Sequence, residues 1–242
     1  MNKHSRLLRL LGCAGIALLL IAASGCATGP AEQRIDNIPM YGQPEIPRPD
    51  FLKKADEDFI KQATSGFGNR EAASKAWYAE ADKFMSQGNL DYAMRRYNQS
   101  WLLNPNNYQP YWGFARVMDA RDNYDGAFKY FKKANELIND PFQKPALLSD
   151  AAVAYHNKAN SLSSGQNQER QKYFDLANRH FEESTKVDPT YAKAWLRWAQ
   201  SLYYQGNYAA SWSKIKKVRE LDSSIVPTKF ISDLSAKLPE PK

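Results

Sequence analysis

Side chains able to do chemistry are few in this sequence. It contains two cysteines and three histidines, of which Cys13 and His4 lie in the first 25 residues. His156 and His180 have no second histidine or cysteine three or four residues away, so the spacing of a helical zinc site is not met. The glycine-rich phosphate loop, the G-x-S-x-G and H-E-x-x-H motifs and the C-x-x-C pair do not occur. The sequence therefore predicts neither an enzyme nor a bound metal or cofactor.

An enzyme is a distant alternative, because a nucleophile, a histidine and an acid can assemble from distant parts of a chain. Loss of an assayed activity in His156→Ala would support it. Asn98-Gln99-Ser100 matches a glycosylation sequon, but the repeat pattern described below puts Ser100 at a packed position. Coincidence is the better interpretation.

The positive charge of the chain is mild. Lys and Arg number 33 and Asp and Glu number 26, for a net charge of +7 at pH 7. Lys3, Arg6 and Arg9 contribute three of these charges, so only +4 remains beyond residue 25. A nucleic-acid partner is not predicted, because such binding requires concentrated positive charge.

Residues 1–25 have the features of an export signal: a basic start and an apolar run from Leu10 to Ala23, too short to cross a bilayer as a helix. The run ends in Ala23-Ser24-Gly25-Cys26, which resembles the lipobox of a bacterial lipoprotein. The resemblance implies cleavage before Cys26 and attachment there of diacylglycerol and a fatty acyl group such as palmitate. With Ala27 following, it also implies an anchor on the periplasmic face of the outer membrane. Release as a soluble periplasmic protein is the alternative.

A helix–turn–helix pattern over residues 74–107 recurs along the chain. Trp77, Ala81 and Phe84 share one helical face, Gly88-Asn89 interrupts it, and Pro105 ends the second face. The same succession of bulky, small and ring-bearing residues returns with a period of 34 in four units, 74–107, 108–141, 145–191 and 192–225. This pattern resembles the tetratricopeptide repeat. The resemblance implies an all-α fold, a right-handed superhelix of helix pairs over residues 70–225.

The third unit departs from the period by an insertion of 13 residues around 161–169. A lengthened pair of helices with a projecting loop is expected there. A tolerated surface insertion is the main interpretation, and a partner-contacting loop is the alternative, since long loops are often functional.

The flanking segments divide into a linker and two caps. Residues 26–49 contain five prolines and show no periodic spacing of apolar residues, which predicts an extended tether. Met40-Tyr41-Gly42 and Ile46 are the points on this tether that are able to dock on the domain. Residues 50–69 and 226–242 each contain an amphipathic pattern. They are predicted to be terminal helices that cover the ends of the superhelix.

The resemblance implies a binding groove lined by the first helix of each repeat. The positions that carry over are Lys75, Tyr78, Asp82, Trp112, Arg116, Asp119, His156, Lys193, Arg197, Gln200 and Tyr203. Trp112 and Tyr203 are the predicted aromatic anchors, since such residues dominate binding hot spots. Lys193 and Arg197 match two of the five positions that clamp a peptide carboxylate in chaperone adaptors of this family, but Trp112, Ser149 and Asp150 do not match.

The predicted function is therefore a non-catalytic scaffold, anchored to the outer membrane by lipid, that binds an envelope protein or an extended peptide in its groove. A role in envelope assembly is favoured by resemblance of architecture alone. An adaptor that recruits peptidoglycan enzymes or binds cell wall is the alternative.

Overall fold

The structure, a computed structural model, describes residues 34–241. Over this range it contains ten α-helices and no β-strand. The helices are α1 (Asp50–Phe67), α2 (Arg70–Ser86), α3 (Leu90–Leu103), α4 (Tyr108–Ala120), α5 (Tyr124–Leu137), α6 (Lys144–Ser161), α7 (Asn167–Val187), α8 (Ala192–Tyr204), α9 (Tyr208–Asp222) and α10 (Thr228–Lys237). Within the described range, none of them has the length and apolar character that a bilayer crossing requires. The predicted signal segment and Cys26 lie outside the described residues.

Helices α2 to α9 follow one another along the chain as four helix–turn–helix units, and three of the four units share the same turn. The second helix starts from an asparagine, Asn89, Asn123 or Asn207, whose side chain accepts a hydrogen bond from the backbone N–H three residues later. The residue before it lies in the left-handed region, where Gly88 and Gly206 carry no Cβ penalty. Asp122 takes the same conformation at φ 57°. This local chemistry explains why the turn returns with the repeat.

The third pair, α6 and α7, contains the insertion. These helices have 18 and 21 residues, against 13 and 15 in α8 and α9. The connection between them is residues 162–166. Most of the insertion therefore lengthens the helices, as the sequence predicts, and the projecting loop is short.

The chain divides into two compact units, residues up to Phe114 and residues from Ala115 onward, with the boundary inside α4. In the first unit, α1 covers α2: Phe59, Ile60 and Phe67 pack on a buried cluster that includes Trp77 and Leu103. In the second unit, α10 covers α9, and the Trp212 indole N–H donates to the Leu238 carbonyl at 2.8 Å. Both terminal helices therefore bury apolar faces, as end caps do.

The segment before α1 differs from the expected extended tether. Residues 35–42 form two short 3₁₀ turns that pack on α3. The buried Asn98 amide donates to the carbonyls of Asp36 and Ile38 at 3.0 and 2.8 Å. These bonds satisfy backbone groups that would otherwise be buried without partners. Asn98 is thus a packing residue, which agrees with the interpretation of its sequon as a coincidence.

Arg48 closes this docked segment against α1. Its guanidinium donates two hydrogen bonds of 2.7 Å to the Asp56 carboxylate. It also lies over the Tyr41 ring, 4.0 Å from the centroid. Proline content predicts the absence of α-helix here, but it does not predict that the segment binds its own domain. Residues 35–42 are therefore not extended, and Tyr41, one of the points named as able to dock, is buried.

Candidate functional site

The predicted groove positions of the first unit are mostly occupied by intramolecular contacts. Tyr78 and Trp112 expose only 8% and 7% of their surface. Asp82 accepts a 2.6 Å hydrogen bond from the Tyr97 hydroxyl. Lys75 is exposed and pairs with Glu71 at 2.7 Å. The expectation that Trp112 is an open anchor is therefore corrected: its position on α4 places it inside the packing.

The second unit holds the predicted cations Arg116 and Arg197 in an ionic cluster around Asp150. Arg197 Nη1 lies 2.6 Å from Asp150 Oδ1 and 3.1 Å from the Ser149 hydroxyl, and Arg116 Nε lies 3.9 Å from Asp150 Oδ2. A ligand carboxylate would have to displace Asp150 to pair with Arg197. Asp150, at a position that does not match the carboxylate clamp, therefore neutralises Arg197, one of the two positions that do match. Lys193, on the same helix, is exposed.

Asp119 lies next to this cluster and accepts hydrogen bonds from the Asn157 amide at 3.0 and 3.2 Å. Burial raises its pKa from 3.8 to about 6, and the charges of Asp150 and Asp122 act in the same direction. The Asn157 hydrogen bond opposes the shift only in part. Asp119 is thus a half-buried carboxyl whose pKa burial raises to about 6.

His156 belongs to a hydrogen-bonded chain of side chains that joins α6 to α8. Its Nδ1 lies 2.9 Å from the Ser201 hydroxyl and its Nε2 lies 2.6 Å from the Asn160 amide nitrogen. Gln205 donates to Ser201 at 3.0 Å, and its carbonyl accepts from Asn178 of α7 at 2.9 Å. Burial, assisted by the charge of Arg170, lowers the pKa of His156 to about 4.

A serine in contact with a histidine, as Ser201 is with His156, can act as a nucleophile and its base in an enzyme. The surroundings of these two side chains do not suit such a role. The Ser201 side chain lies inside the helix packing with 2% of the residue exposed. A histidine with so low a pKa is a weak base at neutral pH. A structural network accounts for the arrangement better. Among the described residues, no group of three or more His, Cys, Asp and Glu residues could hold a metal ion.

Above this network lies a cleft of about 400 Å³ between α6, α8 and α10. Four of the positions predicted for the groove line it, namely His156, Arg197, Gln200 and Tyr203. The terminal helix contributes residues that the sequence analysis assigned only to capping, namely Pro227, Lys229, Phe230 and Asp233. We call this the α8 cleft.

Aromatic rings form one wall of the α8 cleft. Tyr203 contacts Phe230 edge to face at a centroid distance of 5.7 Å, and it contacts Tyr204 in the same geometry at 5.5 Å. Tyr204 is 62% exposed. Rigid, partly open tyrosines of this kind are typical anchors for peptide side chains.

A second cavity of about 440 Å³ adjoins the first, because Tyr204 lines both. Arg170, from the first turn of the lengthened α7, lies in its wall beside Phe174. The Arg170 Nε is buried and has no hydrogen-bond partner among the described residues. The repeat period does not predict a role for Arg170, because this residue directly follows the insertion, where the repeat positions are undefined.

The comparisons with known proteins support the fold. No protein-family model and no curated protein matches the sequence. Among solved structures, the chain is similar to the APC/C hetero-tetramer Cut9–Hcn1 at 13% identity and a TM-score of 0.55, over 78% of this chain and 34% of that chain. It is similar to yeast Tom70 at 16% identity and a TM-score of 0.52, over 78% of this chain and 37% of that one.

A third structure is YrrB, described as a TPR protein with an unusual peptide-binding site. It has 15% identity and a TM-score of 0.48, over 78% of this chain and 87% of that chain. The present chain spans about a third of the length of the Cut9–Hcn1 and Tom70 chains. At these identities the likeness concerns the fold alone. The predicted fold class, an all-α tetratricopeptide-repeat superhelix, is confirmed.

Proposed function

We propose that the protein is a non-catalytic scaffold that binds an extended peptide segment of a partner protein across the α8 cleft. The carrying observation is Tyr204, an exposed ring that lines two adjoining cavities, each with an arginine in its wall. An extended peptide places successive side chains on alternating sides. Every second side chain therefore faces the protein, so two of these side chains would enter one cavity each, with Tyr204 between the cavities.

The two arginines differ in their availability for a ligand. Arg197 is paired with Asp150, whereas Arg170 has a buried nitrogen without a partner and no ion pair with a carboxylate among the described residues. A buried guanidinium nitrogen without a hydrogen-bond partner is costly, and a carboxylate compensates for it with a charge-assisted hydrogen bond. We therefore propose that the bound segment carries an acidic residue and that this residue contacts Arg170. In this proposal α7, the helix that the insertion lengthens, contacts the partner.

Binding can be tested with dodecapeptides selected on the purified chain from a random display library. Tyr204→Ala is expected to weaken the selected peptides about tenfold or more, because it removes an aromatic anchor. Phe142→Ala is the matched control, since Phe142 is 89% exposed and lines neither cavity. Isothermal titration calorimetry gives the affinities.

The same selection tests the role of Arg170. Selected peptides should be enriched in Asp or Glu, and Arg170→Gln should weaken them while leaving amide-substituted peptides unchanged. Failure to select any peptide, or equal affinities for wild type and Tyr204→Ala, would refute binding in the α8 cleft. Selected peptides without acidic residues that depend on Tyr204 would refute only the contact with Arg170.

We further propose that this scaffold acts in the bacterial envelope, anchored to the periplasmic face of the outer membrane through lipid on Cys26. The support is the sequence Ala23-Ser24-Gly25-Cys26 after a basic and apolar start, together with Ala27. An anchored protein with a peptide-binding cleft suits a factor that assembles envelope proteins. Because residues 35–48 pack on the domain, the segment from Cys26 to Arg34 would set the distance between domain and membrane.

The anchor is tested by metabolic labelling of the full chain with radioactive palmitate in a bacterial host. The wild type is expected to carry the label and to fractionate with outer membranes, whereas Cys26→Ser should lose both properties. Cys13→Ser is the matched control and should behave as wild type, because Cys13 lies in the removed segment. Release of the unlabelled wild-type protein into the soluble periplasm would contradict the anchor and favour a secreted protein.

A further inference from the structure

A separate crevice lies between α5 and α7 over a floor provided by α6. Its volume is about 430 Å³, within the range of small-molecule sites. Leu147, Leu148 and Ala151 form the buried floor, together with Phe131 of α5. None of its lining residues lines the α8 cleft. We call it the α5–α7 crevice.

A stack of three flat rings forms part of the lining of this crevice. Phe128 and Tyr155 lie with centroids 4.1 Å apart and planes 13° apart. Tyr155 and His180 follow at 5.1 Å and 8°. The stack joins all three helices, so the apolar lining is held in a fixed shape. Such a lining favours a rigid, flat ligand over a flexible chain.

Two polar atoms in this lining lack partners. Asn135 Oδ1 and His180 Nδ1 are buried and make no hydrogen bond to the described residues. Buried polar atoms without partners are uncommon in native proteins because they have lost hydration without a replacement. Burial also lowers the pKa of His180, which favours the neutral imidazole. One tautomer donates from Nδ1 and the other accepts there.

The charged side chains that line the crevice are both lysines. Lys129 and Lys132 of α5 belong to its lining and are exposed, and no Asp or Glu is among the lining residues. An anionic group bound between the rings and these lysines would meet complementary charge at the rim. A cation would meet repulsion.

From these features we infer that the α5–α7 crevice is a binding site for a small anionic molecule with a flat apolar body. The apolar body would cover the floor of α6, the polar atoms of the ligand would reach Asn135 and His180, and the anionic group would lie between Lys129 and Lys132. This site is independent of peptide binding in the α8 cleft.

The test uses two dyes with the same rings. 8-Anilinonaphthalene-1-sulfonate carries an anionic group, and N-phenyl-1-naphthylamine does not. The purified full chain is expected to bind the sulfonate dye saturably and more tightly than the neutral dye. Lys129→Gln with Lys132→Gln should weaken the sulfonate dye about fivefold, as loss of two partly solvated ion pairs predicts, and leave the neutral dye unchanged. Lys53→Gln with Lys54→Gln removes the same charge from α1 and should change neither affinity.

Ala151→Leu provides a second variant, because the longer side chain extends from the floor into the crevice. It should weaken both dyes, with an unchanged circular dichroism spectrum as the check on folding. Tyr204→Ala should leave both dyes bound as in wild type. The proposal is overturned if the double lysine variant binds the sulfonate dye like wild type, or if Tyr204→Ala removes the saturable binding.

Discussion

Gly113→Ala is expected to destabilise the protein by about 3 kcal/mol or more, the upper range for overpacking of a core. A Cβ atom at position 113 would lie 2.4 Å from both Cδ1 and Cε1 of the Tyr97 ring. The ring has little freedom to move. It is fully buried between Tyr78 and Phe114, at centroid distances of 5.6 and 6.4 Å, and its hydroxyl is bonded to Asp82.

Urea denaturation followed by circular dichroism measures this effect, and the melting temperature should fall by roughly 6–12 °C. Gly165→Ala is the matched control. No atom lies within 4 Å of a Cβ at position 165, and its φ is not in the left-handed region, so a change within about 0.5 kcal/mol is expected. Equal unfolding free energies for the two variants would contradict the packing of α4 on α3.

His156→Gln and Asp119→Asn are expected to give the stability of the protein opposite dependences on pH between 4 and 6. The folded pKa of His156 is about 4, below the ordinary 6.5, so the unfolded state binds the extra proton and stability falls as pH falls. The folded pKa of Asp119 is about 6, above the ordinary 3.8, so the folded state binds the extra proton and stability falls as pH rises. In the wild type the two contributions largely cancel over this window.

Each single variant removes one contribution and exposes the other. His156→Gln retains Asp119 and should lose stability as pH rises from 4 to 6. Asp119→Asn retains His156 and should gain stability over the same range. Each contribution amounts to about 3 kcal/mol over its window, from about 1.4 kcal/mol for each pKa unit. Urea unfolding at pH 4, 5, 6 and 7 measures the slopes, and titrations common to all variants cancel when the curves are compared. Parallel curves for the two variants would show that these groups titrate normally.

The helices could be predicted from the sequence because their causes are local. Gly88-Asn89 and Gly206-Asn207 specify a left-handed turn followed by an N-cap within a few residues of the chain. The small residues Ala93, Ala127, Ala177 and Ser211 recur with the helix pairs and are all fully buried. The same regularity placed His156, Arg197, Gln200 and Tyr203 on one cleft.

The properties of the site depend on contacts that join distant positions. Trp112 lies on the predicted helix, but it is buried. A position within the repeat does not predict which other residues cover the side chain. Arg197 is neutralised by Asp150, 47 residues away, whereas Arg170 has no such partner within residues 34–241. Asn98 binds a segment about 60 residues earlier in the chain. Periodicity assigns a side chain to one face of a helix, whereas its exposure, ion pair and pKa depend on which other helices reach that face. The repeats and the helices can therefore be predicted from local sequence, whereas the availability of their side chains to a partner depends on contacts between helices that are distant in the chain.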